Sequence, residues 1–241
     1  MENKKKSLWQ FFQMLGKTFM FPIALLSVCG MLLGIGSAFT NSSLIEAVPL
    51  LGNPVLQKIF SFMTTLGLFA FNNLGVLFAM AIPLGLLKEE KEFGAFTGLV
   101  SFMAMHIGTN FYLTITDQLA AADKMTEAGQ GMILGIQTYN TSVLGGIIAG
   151  LMVFWLYPKI SKVKIPEALG FYSGPRLAPI AMLVIMGIFG MVAVPLFWQP
   201  FYNFFKMIGE WISTSGPIGY FSYAVAERVT IPFGLNHLVT S

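Results

Sequence analysis

The chain has 241 residues, of which 55% are hydrophobic and only 10% are charged, whereas an ordinary soluble domain carries about 25% charged residues. This composition excludes water as the main solvent, and the single cysteine, Cys29, excludes a disulfide framework or a cysteine-rich zinc site. The net charge of +3 does not predict nucleic-acid binding, because the basic residues lie in short links between apolar segments.

Long uncharged stretches dominate the sequence and predict membrane-spanning helices. Each exceeds the roughly 20 residues that a helix needs to cross the hydrocarbon core of a bilayer. The stretches are 18–45, 59–87, 93–116, 128–158 and 177–205. We therefore predict an all-α, polytopic bundle of about five transmembrane helices in the lipid bilayer.

Two amphipathic segments flank these stretches. In 7–17, apolar residues such as Leu8, Phe12 and Leu15 share one helical face and Gln13 and Lys17 lie opposite, a pattern typical of a helix in the membrane interface. A second interfacial helix is predicted over 199–212 for the same reason.

The cationic residues predict the orientation. With five crossings, ten of them fall on the side of the N-terminus and two on the opposite side, and this bias marks the cytoplasmic face. The ten are Lys4, Lys5, Lys6, Lys17, Lys88, Lys91, Lys159, Lys162, Lys164 and Arg176, and the two are Lys58 and Lys124. We predict a multi-pass protein of the cell (inner) membrane with a cytoplasmic N-terminus.

Two ionisable residues, Glu227 and Arg228, interrupt the apolar C-terminal region. An ionisable group at membrane depth is costly and usually marks a substrate path. The planar guanidinium of Arg228 presents fixed donors that suit sugar hydroxyls or phosphate. The alternative is a structural ion pair or an interfacial anchor.

Further polar residues follow at Asn236 and His237, and these would supply neutral donors and acceptors to hydroxyl groups. The alternative is one histidine satisfied by a backbone carbonyl. His106 and Asn110 lie one helical turn apart in the third stretch, where an interhelical hydrogen bond is favoured over a ligand site.

The remaining motifs concern packing. Three G-x-x-x-G pairs allow close approach of helix backbones: Gly30/Gly34, Gly94/Gly98 and Gly146/Gly150. The sequence has neither the H-E-x-x-H nor the G-x-S-x-G motif and no complete nucleotide-binding loop. We therefore expect no metal, no cofactor and no catalytic group in this chain.

Several unusual strings occur in one order along nearly the whole chain. They are Leu8 to Phe12 (LWQFF), Leu51 to Gln57 (LGNPVLQ), Ala81 to Leu86 (AIPLGL), Leu134 to Gln137 (LGIQ), Gly145 to Gly150 (GGIIAG), Pro166 to Gly170 (PEALG) and Ile231 to Leu235 (IPFGL). Together they resemble the glucose-superfamily enzyme IIC proteins of the bacterial phosphotransferase system, and most closely the maltose/glucose branch.

The resemblance implies a homodimeric sugar carrier whose sugar is phosphorylated by a phosphocysteine on a separate enzyme IIB domain. It divides the chain into a cytoplasmic N-terminus with an interfacial helix (1–17), a five-span dimerisation scaffold (18–205), and an interfacial helix with the start of the transport domain (206–241). It places Arg228 and His237 at the sugar, with Asn236 standing where the family usually has a first histidine. The family's second sugar-contacting region would lie beyond Ser241, so we expect an N-terminal half that does not transport alone.

Two other function classes stay open on the sequence. One is a carrier-derived regulatory or assembly scaffold that dimerises with an intact homologue and no longer binds sugar. The other is an independent membrane enzyme, which the lack of an acid/base constellation disfavours.

Overall fold

The computed structural model describes residues 2–214 together with residues 224, 225 and 228. These residues form helices almost throughout, with one two-stranded hairpin. The α-helices are α1 (Glu2–Thr18), α2 (Met20–Phe39), α3 (Ser42–Ala47), α4 (Pro54–Asn72), α5 (Leu74–Leu86), α6 (Lys91–Ile115), α7 (Ser142–Ile160) and α8 (Leu177–Thr214). The strands are β1 (Gln130–Ile133) and β2 (Ile136–Tyr139), and 3₁₀ turns occupy Pro49–Gly52, Glu167–Tyr172 and Gly174–Arg176.

Within this part of the chain, four helical segments are long and apolar enough to cross a membrane. They are Trp9–Phe39, Pro54–Asn72, Ser142–Ile160 and Gly174–Phe204. The protein is thus an all-α, polytopic membrane protein, as the composition predicts.

Helix α6 corresponds to the predicted third span and is 25 residues long. It is more polar than the four segments named above. Several of its polar side chains face the protein interior. Thr97, Ser101, His106 and Thr109 are all buried. A span can carry such groups when they face neighbouring protein rather than lipid.

The predicted span 59–87 is divided into two helices at Asn73. Both halves run antiparallel to α2 and its junction with α1. The rings of Phe39 and Phe60 stack 4.8 Å apart at one end, and those of Phe19 and Phe78 meet 5.0 Å apart farther along. The stretch is therefore not one continuous helix, and its two parts follow each other along α2 and the end of α1.

The core of the molecule lies among α5, α6, α7 and α8. Helices α6 and α8 approach so closely that a side-chain carbon at Gly108 would overlap the carbonyl oxygen of Gly187, and one at Gly190 would overlap that of Met105. Met182 and Met186 of α8 are fully buried at this contact. Close packing of small residues is the usual way for helices to associate in a membrane.

A β-hairpin begins the predicted stretch 128–158, so the helical crossing starts only at Ser142. The strands pair antiparallel from Gln130 opposite Tyr139 to Ile133 opposite Ile136. The two turn residues, Leu134 and Gly135, have φ angles of 50° and 81°. Positive φ at both positions is the backbone geometry that twisted two-residue hairpins require.

Helix α8 continues without a break through residue 205, although Pro195 and Pro200 lie inside it. The residues predicted as a separate interfacial helix, 199–212, are its C-terminal part. The hydroxyl of Tyr202 lies 3.0 and 3.1 Å from the carbonyl oxygens of Thr126 and Glu127. This contact joins the far end of α8 to the segment before the hairpin.

Candidate functional site

The residues predicted to bind sugar lie in the C-terminal region. Arg228 is helical, and its side chain is exposed. Glu227, Asn236 and His237 lie outside the described residues. The part of the chain that the structure describes has two ends that differ in chemistry.

One end of the bundle is organised by a contact between Glu90 and Tyr157. The Tyr157 hydroxyl donates a 2.9 Å hydrogen bond to Oε2 of Glu90. Glu90 has a left-handed backbone with φ 54° and directly precedes α6, and Tyr157 is buried near the end of α7. The contact brings the link between α5 and α6 to the same end as the link that follows α7.

This end of the molecule carries exposed cations. Lys88 and Lys91 lie in and beside the first link, and Lys159, Lys162 and Lys164 lie at the end of α7 and just after it. These are five of the ten cations that the charge bias assigns to the cytoplasmic side. Their location at one end agrees with that assignment.

The opposite end is closed by the hairpin, which amide side chains hold in place. Gln130 accepts a 3.0 Å bond from the Ala120 backbone N–H at Oε1 and donates a 2.7 Å bond from Nε2 to the Gln118 carbonyl oxygen. Gln137 donates from Nε2 to the Ala120 carbonyl oxygen at 2.8 Å and to Gln130 Oε1 at 2.9 Å. These bonds satisfy loop backbone groups that would otherwise be costly to bury.

His106 and Asn110 attach the hairpin to α6. Nδ1 of His106 lies 3.2 Å from Oγ1 of Thr138, and Nδ2 of Asn110 donates a 2.7 Å bond to the carbonyl oxygen of Gln137. The packing role favoured by the sequence is confirmed, but the partner is β2 rather than another helix. The sequence could not show this because the hairpin lies inside an uncharged run.

A half-open cavity of about 600 Å³ lies between the α4–α5 break, α6 and the hairpin. Its polar lining includes Asn72, Asn73 and Asn140, and its aromatic lining includes Phe71 and Phe102. Ligand clefts commonly combine a few amide donors and acceptors with apolar and aromatic surface in this way. Gly131, Met132 and Ile133 of the hairpin form one wall of the cavity.

Among the described residues, no group of histidine, cysteine, aspartate or glutamate side chains is arranged to hold a metal ion. Cys29 is a free, buried thiol in α2. The Gly94/Gly98 and Gly146/Gly150 pairs pack against α5, whereas Gly34 meets nothing within 4 Å in this chain.

No sequence pattern marked Glu90, Tyr157, Gln130 or Gln137 as structural determinants. Glu90 lies in a charged link that resembles an ordinary solvated turn, and the amides lie in an uncharged stretch. The two turn residues, Leu134 and Gly135, are not one of the residue pairs that usually mark a two-residue hairpin, so no local signal was present for the hairpin that contains both glutamines.

Comparison with known proteins identifies the family. Residues 16–241 match the family model described as Phosphotransferase system, EIIC. The chain is also 42% identical over 239 residues to the PTS system maltose-specific EIICB component of Escherichia coli strain K12. That match covers 98% of this chain and 45% of the relative, so the chain spans just under half the length of that protein. The chain belongs to the EIIC family of the phosphotransferase system.

Proposed function

We propose that this chain is the membrane component of a phosphoenolpyruvate-dependent sugar phosphotransferase system, in which it binds and translocates a glucose-type sugar, maltose or glucose. The main support for this proposal is the 42% identity to a maltose-specific EIICB component over 98% of this chain. The polytopic helical fold supports the proposal, because a carrier must enclose a polar path within the bilayer.

The proposed sugar site contains Arg228, with Glu227, Asn236 and His237 as further contacts. Arg228 would donate from its planar guanidinium to the sugar hydroxyls, and a fixed fork of donors suits adjacent oxygen atoms. The asparagine and histidine would supply neutral donors and acceptors. The cavity beside Asn73 and Asn140 would be the part of the sugar path that the scaffold provides.

In this proposal the phosphoryl group that is transferred to the sugar comes from a partner, an enzyme IIB domain carrying a phosphocysteine. The sugar hydroxyl oxygen would attack phosphorus and release its proton to solvent, the S–P bond would break, and the cysteine thiolate would leave. This chain would hold the hydroxyl in line with that bond, and positioning supplies much of the catalysis in phosphoryl transfer.

The proposed location is the inner membrane, with a cytoplasmic N-terminus. The Glu90–Tyr157 contact supports this orientation, because it brings two cation-bearing links to one end of the bundle. Lys124 lies in the segment before the hairpin, at the other end. A IIB domain would then approach the end that carries Lys88, Lys91 and Lys162.

We further propose that the protein is a homodimer that associates through α2 and α4. These helices pack on each other and leave large apolar side chains exposed, among them Phe21, Val28, Met31, Phe62 and Phe69. The exposed Gly34 lies on the same pair and would admit a close neighbour. Residues 1–17, 18–205 and 206–241 would serve as interfacial N-terminus, dimer scaffold and start of the transport domain.

The test is phosphorylation by a completed carrier. The chain would be fused to the C-terminal half of the E. coli relative, and phosphoenolpyruvate-dependent phosphorylation of maltose and glucose would be measured in membranes. We expect phosphorylation that depends on the IIB domain. Correct insertion without phosphorylation of either sugar, while the intact relative is active in the same membranes, would overturn the proposal.

A further inference from the structure

An apolar pocket of about 680 Å³ lies beside the link between α7 and α8, which comprises residues 161–176. Val163, Ile165, Tyr172, Leu177 and Ile180 line it, together with Pro166 and Lys164. Its volume falls within the roughly 300–1,000 Å³ of ligand clefts. It shares no lining residue with the cavity beside the hairpin.

The chain segment that supplies most of this lining is cationic, and Lys164 itself lines the pocket. From 159 to 176 the sequence contains Lys159, Lys162, Lys164 and Arg176 but one acidic residue, Glu167. The side chains of Lys162, Lys164 and Arg176 are exposed. An occupant that complements both the lining and the rim therefore has an apolar body and an anionic head.

The surroundings of the pocket have the composition of a membrane–water boundary. Trp155 is 61% exposed, and the Nζ of Lys159 lies 3.8 Å from the centre of its ring. Phe171 is 70% exposed, and the Arg176 guanidinium lies 4.8 Å from its ring centre. Aromatic rings with adjacent cations are enriched where helices leave the hydrocarbon core.

The pocket continues onto the outer surface of α8. Ile180, at the pocket, is followed at successive turns by Val184 and Ile188, and all three are about half exposed. This apolar stripe leads from the cationic rim along a helix that can span the membrane. A single hydrocarbon chain could follow it without leaving apolar surface.

We propose that this pocket binds an anionic phospholipid of the bilayer, with an acyl chain in the pocket and along α8 and the headgroup phosphate at Lys164 and Lys162. Basic pockets between transmembrane helices recognise anionic headgroups in this way. Arg176 holds the Glu167–Tyr172 turn in position by donating a 3.2 Å bond to the Phe171 carbonyl oxygen.

Native mass spectrometry of the purified, delipidated 241-residue chain tests the proposal. Phosphatidylglycerol and phosphatidylethanolamine with the same acyl chains would be titrated in separate samples. We expect preferential binding of phosphatidylglycerol. The double variant Lys162→Gln/Lys164→Gln should weaken that binding about ten- to thirtyfold. The matched control, Lys58→Gln/Lys124→Gln, removes two exposed cations elsewhere and should change it less than twofold.

A second pair of variants tests the pocket itself. Val163→Trp should fill the pocket and reduce binding of phosphatidylglycerol, whereas Val48→Trp, at an exposed position directly after α3, should leave it unchanged. Equal binding of the two lipids, or binding that neither the lysine variant nor Val163→Trp weakens, would overturn the proposal. A different result would also overturn it: the chain shows no lipid preference, and Lys162→Gln/Lys164→Gln abolishes binding of a purified IIB domain. This result would identify a protein-docking surface instead.

Discussion

The hydroxyl of Tyr157, near the end of α7, donates a 2.9 Å hydrogen bond to the carboxylate of Glu90, the residue that precedes α6. The contact joins residues 67 positions apart, and it fixes two links at the end of the molecule where the cations collect. It therefore joins the start of α6 to the end of α7 at the surface proposed to face a IIB domain.

Loss of this contact should destabilise the fold. We expect Tyr157→Phe to lower the free energy of unfolding by about 1–2 kcal/mol, because the half-buried Glu90 loses its hydrogen-bond donor. The measurement is unfolding by SDS in mixed micelles. Tyr172→Phe is the matched control, since that tyrosine is 45% exposed. Equal stability losses in both variants would show that the Glu90 contact contributes nothing specific.

Asn110 is expected to anchor the hairpin rather than contact sugar. Asn110→Leu removes the 2.7 Å bond to the Gln137 carbonyl oxygen, which should cost about 1–2 kcal/mol locally and speed amide exchange in 130–139 roughly tenfold. The exposed Asn203 provides the control variant Asn203→Leu. Unchanged exchange together with a loss of sugar affinity in a completed carrier would instead make Asn110 a ligand residue.

The dimer should depend on Gly34. Its position is open within this chain, so Gly34→Leu should disturb association without disturbing the internal packing. We expect dimer dissociation in detergent to become about tenfold more favourable, as measured by crosslinking across a concentration series. Gly16→Leu, at another open glycine, is the control. A monomer at every concentration in the parent protein would rule out the proposed interface.

The five-crossing topology predicts that Lys124 and Lys162 face opposite sides of the membrane. Single cysteines at these positions, in a background with Cys29→Ser, should react with an impermeant maleimide from opposite sides of the membrane. Both side chains are exposed, so the thiols should be accessible. Labelling of both from the same side would contradict the orientation and the number of crossings between them.

Much of the helical architecture could be predicted because lipid imposes one simple requirement, a long apolar run for each crossing. The stretch 177–205 became the membrane-spanning part of α8, and 93–116 became α6. The same criterion predicted one span where the structure has two helices, α4 and α5, because the break at Asn73 contains no charge. It also hid the hairpin, because Gln130 and Gln137 are uncharged and their partners are backbone groups distant in sequence.

The side-chain contacts of the candidate site were harder to predict than the helices from the spacing of residues in the sequence. His106 and Asn110 share one face of α6, which indicated a common role, but their partners Thr138 and Gln137 come from a strand that the apolar run concealed. Glu90 and Tyr157 meet only because α5 and α7 pack in register through Gly75 and Gly146. Contacts between distant segments of this kind depend on packing, which no local pattern encodes.

Sugar binding by a completed carrier tests the central claim most directly. The chain would be fused to the C-terminal half of the maltose-specific relative, and the affinity for maltose and glucose would be measured by isothermal titration for the parent, Arg228→Ala and Arg228→Lys. We expect the parent to bind at least one of the two sugars and Arg228→Ala to bind it about ten- to a hundredfold more weakly, because a charged hydrogen bond is worth about 1.5–3 kcal/mol. Lysine should restore the affinity only in part, since an ammonium group lacks the planar fork of donors. A correctly inserted parent that binds neither sugar, or unchanged affinity in both variants, would contradict the account.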